Sequence, residues 1–304
     1  MKTKSPLKII TASALTLAFG ILTSHASTIA YWRFEDQPDG GTLTGTMGGA
    51  PFTTTADSSG NGNSLRTFNG PSAPNTSATF VSLVPDSVVP QTGAPNVRSA
   101  EFNGINQDIY VDIGVGNLRT FNFTGDFTIE ASFRSTGTGW RTFLGRDGEN
   151  PGGGRLFYQQ RGDNGNLQFA FLDASNTFRA IDSGINVANT STWFNTAVVS
   201  SGSTVTLYIQ DSLDDSWDVV GTTATSGGLF NVDATWAVGR GWFNGPNDFW
   251  AGQVDEIRIS DSALSPSQFL QSVPEPSTVA LAVVGVACLA LRRKRRSTAQ
   301  SGNP

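Results

Sequence analysis

Cysteine, histidine and lysine are nearly missing from this chain of 304 residues. The single Cys, Cys288, and the single His, His25, lie toward the two ends, and no Lys occurs within residues 27–291. A segment without Cys forms no disulfide, and a segment without His or Cys holds neither a Ser-His-Asp triad nor a Cys/His zinc site. The long middle of the chain must therefore be stable through its core alone.

The charges of this middle segment are strongly unbalanced. Residues 27–291 hold twelve cations, all of them Arg, against 25 carboxylates, which gives a formal net charge of −13. Such an acidic surface argues against binding to nucleic acid or to anionic lipid. It favours solubility and the binding of cations.

The first 26 residues have the features of a cleaved signal peptide. Three Lys occur in the first eight residues, residues 9–22 are mostly apolar, and Ser24 and Ala26 place small side chains where a signal peptidase cuts. We therefore expect a signal peptide over residues 1–26 and a mature chain that starts at Ser27. An uncleaved anchor is the alternative.

A second predicted targeting signal lies near the C-terminal end of the sequence. The tripeptide Pro274-Glu275-Pro276 is followed by an apolar run, residues 278–291, and by five basic residues, 292–296. The run has fourteen residues, fewer than the ~20 that a membrane-spanning helix needs, and the basic cluster is expected to stay cytoplasmic. This order resembles the PEP-CTERM sorting signal over residues 273–296, followed by a polar tail, 297–304.

The resemblance implies a bacterium with an outer membrane and an exosortase-type enzyme that cuts near the tripeptide. Until that cut, the C-terminal helix would hold the protein in the membrane. The expected location is the cell envelope, on the outer surface or in the extracellular matrix. An ordinary C-terminal anchor is the alternative.

The middle of the chain has the pattern of short β-strands joined by turns. Apolar and polar residues alternate over 127–134 and over 204–209, and Gly-containing turns at 162–165 and 201–202 separate such runs. Asp255 and Glu256 interrupt a later strand, which indicates a bulge. We expect one all-β domain over residues 27–271, with a long loop at 70–96.

One short helix is expected near the end of this domain. Ser265 is suited to cap it, and Pro266 fits its first turn.

The order of several motifs resembles the laminin-G-like (LamG, concanavalin A-like lectin/glucanase) family. The motifs are an opening strand at 29–35, an Asp-x-Ser-Gly-Asn-Gly-Asn loop at 57–63, a Trp-containing strand at 193–199 and a closing strand at 250–259. The resemblance implies a two-sheet antiparallel jelly-roll sandwich. Two departures occur: Ser132 stands where the family usually has Trp, and the two His that usually follow Trp193 are absent.

The loop at 57–63 is a candidate calcium site. Asp57, Asn61 and Asn63 bring carboxylate and amide oxygens together in a Gly-rich turn, and in this family Asp255 of the closing strand often lies nearby. Calcium takes six to eight oxygen ligands in flexible geometry. The alternative is a turn without metal, in which Asp57 accepts hydrogen bonds from its own backbone.

Aromatic and amide residues mark a candidate sugar site. Trp140 follows a Gly-rich turn, and residues 242–250 combine aromatic rings with Asn and Asp. Rings stack on the CH faces of sugars, and amides bond to hydroxyls. The predicted ligand-binding residues are Trp140, Trp242, Asn244, Asn247 and Asp248. The alternative is that Trp242 and Trp250 only close the end of the core.

Together these features predict an exported, non-catalytic module that binds carbohydrate or extracellular matrix. A structural envelope protein without a small ligand is the alternative, because this fold serves many functions. A glycoside hydrolase is the lesser alternative, since it needs two carboxylates, and Glu130 has no acidic residue two positions away.

Overall fold

The computed structural model of this protein describes residues 27–44, 53–67, 76–148, 154–211 and 216–273. The predicted signal peptide and the sorting signal from Pro274 onward, including its expected membrane helix, lie outside these ranges. Within them, no helix is long and apolar enough to cross a membrane.

The described residues form nineteen strands and one short 3-10 helix, Pro266–Gln268. In chain order the strands are β1 Thr28–Trp32, β2 Leu65–Arg66, β3 Thr79–Val81, β4 Val88–Val89, β5 Ala94–Pro95, β6 Ser99–Asn103, β7 Ile109–Val111, β8 Phe127–Ser135, β9 Arg141–Arg146, β10 Leu156–Gln160, β11 Asn166–Leu172, β12 Phe178–Asn186, β13 Trp193–Ser201, β14 Thr204–Asp211, β15 Asp218–Ala224, β16 Trp236–Val238, β17 Gly241–Trp242, β18 Pro246–Asn247 and β19 Ala251–Ser260.

Two large antiparallel sheets make up the fold. Sheet A has the order β15-β14-β13-β8-β19-β6-β3, with β1 also paired to β19, and sheet B has the order β12-β11-β10-β9-β16-β7-β2. Two small hairpins, β4–β5 and β17–β18, lie outside them. The predicted all-β sandwich is confirmed.

The core lies between the inner faces of the two sheets. Phe127, Ile129 and Phe133 of β8 are fully buried there, as their alternation predicts. The Phe133 ring stacks on Phe143 of sheet B at 4.8 Å between centroids, and Trp250 contacts the same pair edge-on. Aromatic side chains therefore join the two sheets without any disulfide.

The predicted bulge in the closing strand is present. The pairing of β19 with β8 shifts register between Asp255 and Arg258, and Glu256 has φ 48°. Before the bulge β19 pairs with β6, and after it β19 pairs with β1. The extra residue thus marks where β19 exchanges one neighbour for another.

The segment that follows β19, residues 262–273, lies across the outer face of sheet A and is called the strap here. Its buried Leu264 and Phe269 pack against Ala197 and Val199 of β13. The predicted short helix forms part of it, with Pro266 at its first position. Alternation places Ala197 and Val199 on the face of sheet A that points away from the core. The strap covers this face, so both residues are buried.

The expected long loop at 70–96 is only partly irregular. Residues 70–75 lie outside the described ranges, but β3, β4 and β5 fall within the remainder. Strand β3 pairs with β6 and extends sheet A, so this segment belongs to the sandwich.

Candidate functional site

A cleft of about 510 Å³ opens on the outer face of sheet B. Its lining residues come from β10, β11, β12 and two neighbouring segments: Trp140, Phe157, Gln159, Gln168, Ala170, Phe178, Phe243, Asn247 and Asp248.

The floor of the cleft follows from strand alternation. Leu156 and Tyr158 of β10 point into the core, which leaves Phe157 and Gln159 on the outer face. Because β10 pairs antiparallel with β11, Gln159 stands opposite Gln168. The floor is therefore a regular sheet surface, which holds its side chains in fixed positions.

One wall is an arm formed by residues 241–249. Its base closes at Trp250, whose N–H donates to the Gly239 carbonyl at 2.8 Å, and its end runs beside β9, where the Thr142 N–H donates to the Asp248 carbonyl at 2.7 Å. The arm can lie flat on sheet B because Gly145 has no side chain. A Cβ at Gly145 would stand 2.5 Å from the Arg240 carbonyl oxygen.

A buried ion cluster fixes the start of this arm. The Arg240 side chain donates from Nε to Asp108 at 2.5 Å and from Nη1 to Asp147 at 2.6 Å. The hydrogen bonds and charges of these two carboxylates outweigh the effect of burial and raise the pKa of the guanidinium above its ordinary value. Arg240 is therefore a fixed cation whose contacts set where the arm leaves the sheet.

Trp140 also lines the cleft. Its indole lies against Gly162 in the β10–β11 turn, where a Cβ would stand 2.2 Å from the ring. The Arg161 guanidinium lies 5.9 Å from the ring centroid. These contacts hold the ring while 44% of the side chain stays exposed.

Exposed aromatic rings converge on this cleft. Among the large apolar side chains that are exposed in the described ranges, the aromatic ones are Trp140, Phe178 at 60% and Phe243 at 59%. All of them line the cleft. Exposed rings gathered in one concave surface are typical of a binding site.

Polar groups lie between these rings. The Gln159 amide donates to Gln168 Oε1 at 2.8 Å, which leaves the Gln168 amide nitrogen for a ligand. Asp248 is half-buried, and its burial raises the pKa of its carboxyl, although the nearby Arg141 lowers it. No hydrogen bond from the described residues reaches this carboxylate, so it is free to accept one from a bound hydroxyl.

The structure places three of the five predicted ligand-binding residues in the cleft and two outside it. Trp140, Asn247 and Asp248 line the cleft. Trp242 is half-buried beside Arg240 and lines a different, polar pocket of about 190 Å³. Asn244 is exposed in the arm, with φ 55°, and does not line the cleft. Trp250 is buried in the core, as the alternative interpretation predicted.

Sequence reasoning missed the floor residues Phe157, Gln159, Gln168 and Phe178. The first three had a usable signal, because the hairpin turn at 162–165 sets the pairing of β10 with β11. Phe178 had none, since its place beside them depends on the pairing of β12 with β11.

The predicted calcium ligands take part in backbone hydrogen bonds. Asp57 Oδ1 accepts from the N–H groups of Tyr31 and Ser59, and its Oδ2 accepts from the Asn63 N–H, each at 2.9 Å. Asn63 Oδ1 accepts from the N–H groups of Asn117 and Leu118. These are the hydrogen bonds of the turn alternative.

The other two candidate ligands also make hydrogen bonds, but those of Asn61 use its side-chain nitrogen and not the oxygen that would bind calcium. The Asn61 side-chain nitrogen donates to the carbonyls of Thr28 and Ile29. Asp255 is buried and accepts from the Asn96 amide and the Glu256 N–H. In the described part of the chain, no group of three or more Asp, Glu, His or Cys side chains is placed to hold a metal. Calcium binding stays a prediction.

Comparison with known families gives two matches. The family model of the concanavalin A-like lectin/glucanases superfamily matches residues 106–269. The PEP-CTERM protein-sorting motif matches residues 272–296. This motif indicates export and sorting to the envelope in bacteria. A comparison with proteins of curated function finds no match.

Solved structures with a similar fold include carbohydrate-binding domains. Domain 4 of AbnA, a GH43 extracellular arabinanase from Geobacillus stearothermophilus, in complex with arabinotriose, has a TM-score of 0.53 and 17% identity, over 82% of this chain and 99% of that domain. The CBM40 of the Ruminococcus gnavus IT-sialidase has a TM-score of 0.40 and 12% identity, over 53% of this chain and 86% of that chain. The binding domain of botulinum neurotoxin serotype D has a TM-score of 0.47 and 12% identity, over 80% of this chain and 49% of that chain. Of these, the arabinanase domain has a TM-score above 0.5, and at 17% identity its likeness shows the fold alone.

Proposed function

Because this chain belongs to the concanavalin A-like lectin/glucanases superfamily, we propose that it is a non-catalytic carbohydrate-binding protein of the bacterial envelope and that it binds glycan in the cleft on sheet B. The observation that carries the proposal is the convergence of Trp140, Phe178 and Phe243 around amide and carboxylate groups.

The chemistry of the cleft suits a sugar chain. Aromatic rings stack on the CH faces of pyranose and furanose rings, and amide and carboxylate groups bond to their hydroxyls. The cleft offers both kinds of group, since Gln168 and Asn247 belong to the same lining as the rings. An arabinose oligomer occupies the fold relative from the arabinanase, and this is consistent with the proposal.

The same lining supports binding without hydrolysis. Glycosidases use a pair of carboxyl groups on either side of the scissile bond. Among the described residues that line the cleft, Asp248 is the only one with a carboxylate. We therefore propose that a bound glycan is held and not cleaved.

The sorting motif supports a location of this activity in the bacterial envelope. Recognition of the motif implies an exosortase as partner. We propose that the sorted protein resides on the outer surface or in the extracellular matrix, where its ligands are polysaccharides of that matrix.

Affinity electrophoresis through gels that contain a panel of soluble polysaccharides tests the proposal. At least one polysaccharide should retard the protein, and Trp140→Ala should weaken that binding at least tenfold, since loss of one stacking ring is worth about 1.4 kcal/mol or more. Ile113→Ala is the control, because Ile113 is 75% exposed and does not line the cleft.

Two outcomes would overturn the proposal. If no polysaccharide retards the protein, a structural envelope role without a small ligand takes its place. If reducing sugar is released from a polysaccharide that binds, the protein is a hydrolase.

A further inference from the structure

Cations are missing from the cleft, and this bears on which glycans it accepts. Among the described lining residues, Asp248 is the only charged one. Residues 27–291 contain no Lys, so any basic group near the cleft must be an Arg. A site for sugars that carry carboxylate or sulfate groups would need such a group within hydrogen-bond distance.

Two Arg side chains lie beside cleft residues, Arg141 near Asp248 and Arg161 near Trp140, and both are held by other partners. Arg141 donates to the carbonyls of Thr138, Gly104 and Phe249. Arg161 pairs with Asp163 and with Asp182, the latter at 2.7 Å. Neither side chain belongs to the lining. Each would have to give up several hydrogen bonds before it could pair with an anion in the cleft.

Asp248 adds a repulsive group. Its carboxylate is half-buried in the cleft wall and receives no hydrogen bond from the described residues. An anionic sugar bound beside it would place two like charges together in a partly desolvated site, where such repulsion is strong. A neutral sugar would instead donate a hydroxyl to the same oxygens.

We propose that the cleft selects uncharged glycan chains and excludes chains that carry carboxylate or sulfate groups, with Asp248 as the residue that sets this selectivity. The inference rests on the proposed glycan-binding function. It assigns that site a class of ligand.

Pairs of polymers that share a sugar backbone and carry either neutral or anionic substituents provide the test. The full-length protein is titrated calorimetrically with hydroxyethyl cellulose and carboxymethyl cellulose, with dextran and dextran sulfate, and with highly esterified pectin and polygalacturonate. In every pair that binds, the neutral member should bind at least tenfold more tightly.

Substitution of Asp248 separates a local effect from the overall negative charge of the protein. Asp248→Asn should bring the ratio of neutral to charged affinity at least threefold closer to one. Asp218→Asn removes the same charge from an exposed position on β15 and should leave that ratio unchanged.

Each contrary result has a distinct meaning. Equal or tighter binding of the charged members, lost on Trp140→Ala, overturns the selectivity and keeps the glycan site. An equal change of the ratio in Asp248→Asn and Asp218→Asn overturns the role of Asp248. Absence of binding to every polymer overturns the proposed function itself and the selectivity with it.

Discussion

At the scale of single residues, the bulge in β19 buries two adjacent acids. Asp255 is fully buried and Glu256 nearly so, and Glu256 contacts Tyr31 and Arg33. Burial raises the pKa of both carboxyls. It outweighs the hydrogen bond from Tyr31 and the ion pair with Arg33, and it brings the pKa of Glu256 to about 7.

This shift predicts a pH-dependent contribution to stability. Because the folded state holds the proton more tightly, Glu256 stabilises the fold fully below about pH 4.5, and that contribution is lost as the pH rises through about 7. Glu256→Gln keeps the side chain neutral and should exceed the wild type by on the order of 3 kcal/mol at pH 8, but by little at pH 4.5. Urea unfolding across this range measures the difference.

The exposed carboxylate of Asp218 offers the matched control, since Asp218→Asn makes the same kind of change outside the core. If the stability of Glu256→Gln follows the wild type in parallel from pH 4.5 to 8, then folding does not raise the pKa of Glu256 and the prediction is wrong.

Asp57 is a second acid whose role can be measured. Its carboxylate accepts three backbone N–H groups, so Asp57→Ala should lower the free energy of unfolding by about 2–4 kcal/mol. If the carboxylate serves only the turn, the loss is the same with and without millimolar calcium. Asp57→Asn, which keeps some of the acceptors, should lose less.

Thermal melts of metal-stripped protein decide between the two roles that the sequence left open. A melting temperature that rises with calcium in the wild type and not in Asp57→Ala would establish the calcium site.

At the scale of elements, the cleft depends on how closely the arm lies on β9. A Cβ at Gly145 would stand 2.5 Å from the Arg240 carbonyl oxygen and 3.3 Å from the Gly241 Cα, both of them backbone atoms. Gly145→Ala should therefore push the arm away from the sheet, lower stability by about 1–3 kcal/mol and weaken glycan binding.

Gly125 is a suitable comparison, because a Cβ there would meet nothing within 4 Å. Gly125→Ala should change neither property. Calorimetric binding and thermal unfolding of both variants make the test, and the same result for both would mean that the arm tolerates the displacement.

Individual strands and loops show how much of the fold can be predicted from the sequence. Alternation over 127–134 and the turn at 162–165 correctly predict β8 and the pairing of β10 with β11, because both signals are local. Composition marks residues 242–250 as a candidate sugar site, but the path of the arm over β9 rests on contacts far apart in sequence. The sequence therefore assigns Trp242 to the ligand, whereas the structure places it beside Arg240.

The outer face of β8 also shows that local alternation does not predict contacts between distant segments. Alternation places Thr128, Glu130 and Ser132 away from the core, and this is correct. It does not reveal that the strap buries them, with Glu130 accepting from the Leu270 N–H and pairing with Arg258 at 2.6 Å. A period-two pattern tells which face a residue occupies and not what covers that face.

At the scale of the whole molecule, the cleft and the strap lie on opposite faces of the sandwich. The cleft is on the outer face of sheet B, and the strap crosses the outer face of sheet A. The strap remains bonded to the domain as far as Ser272, whose hydroxyl accepts from the Trp217 indole N–H at 2.8 Å. The sorting motif begins at this same residue.

This arrangement predicts that attachment through the end of the strap leaves the cleft open. On a Cys288→Ser background, the substitutions Val273→Cys and Ala180→Cys each place one reactive thiol on the protein. Val273, the last residue of the strap, is 68% exposed. Ala180 is exposed on β12, where it pairs with the cleft residue Ala170. Protein coupled to a sensor surface through position 273 should bind a soluble polysaccharide as in solution, and protein coupled through position 180 should lose at least tenfold in capacity. Because both surfaces share the coupling chemistry and the fold, the difference reports only which face is blocked. Equal capacity at the two positions would mean that the ligand binds elsewhere, and loss at position 273 would place the binding surface on sheet A.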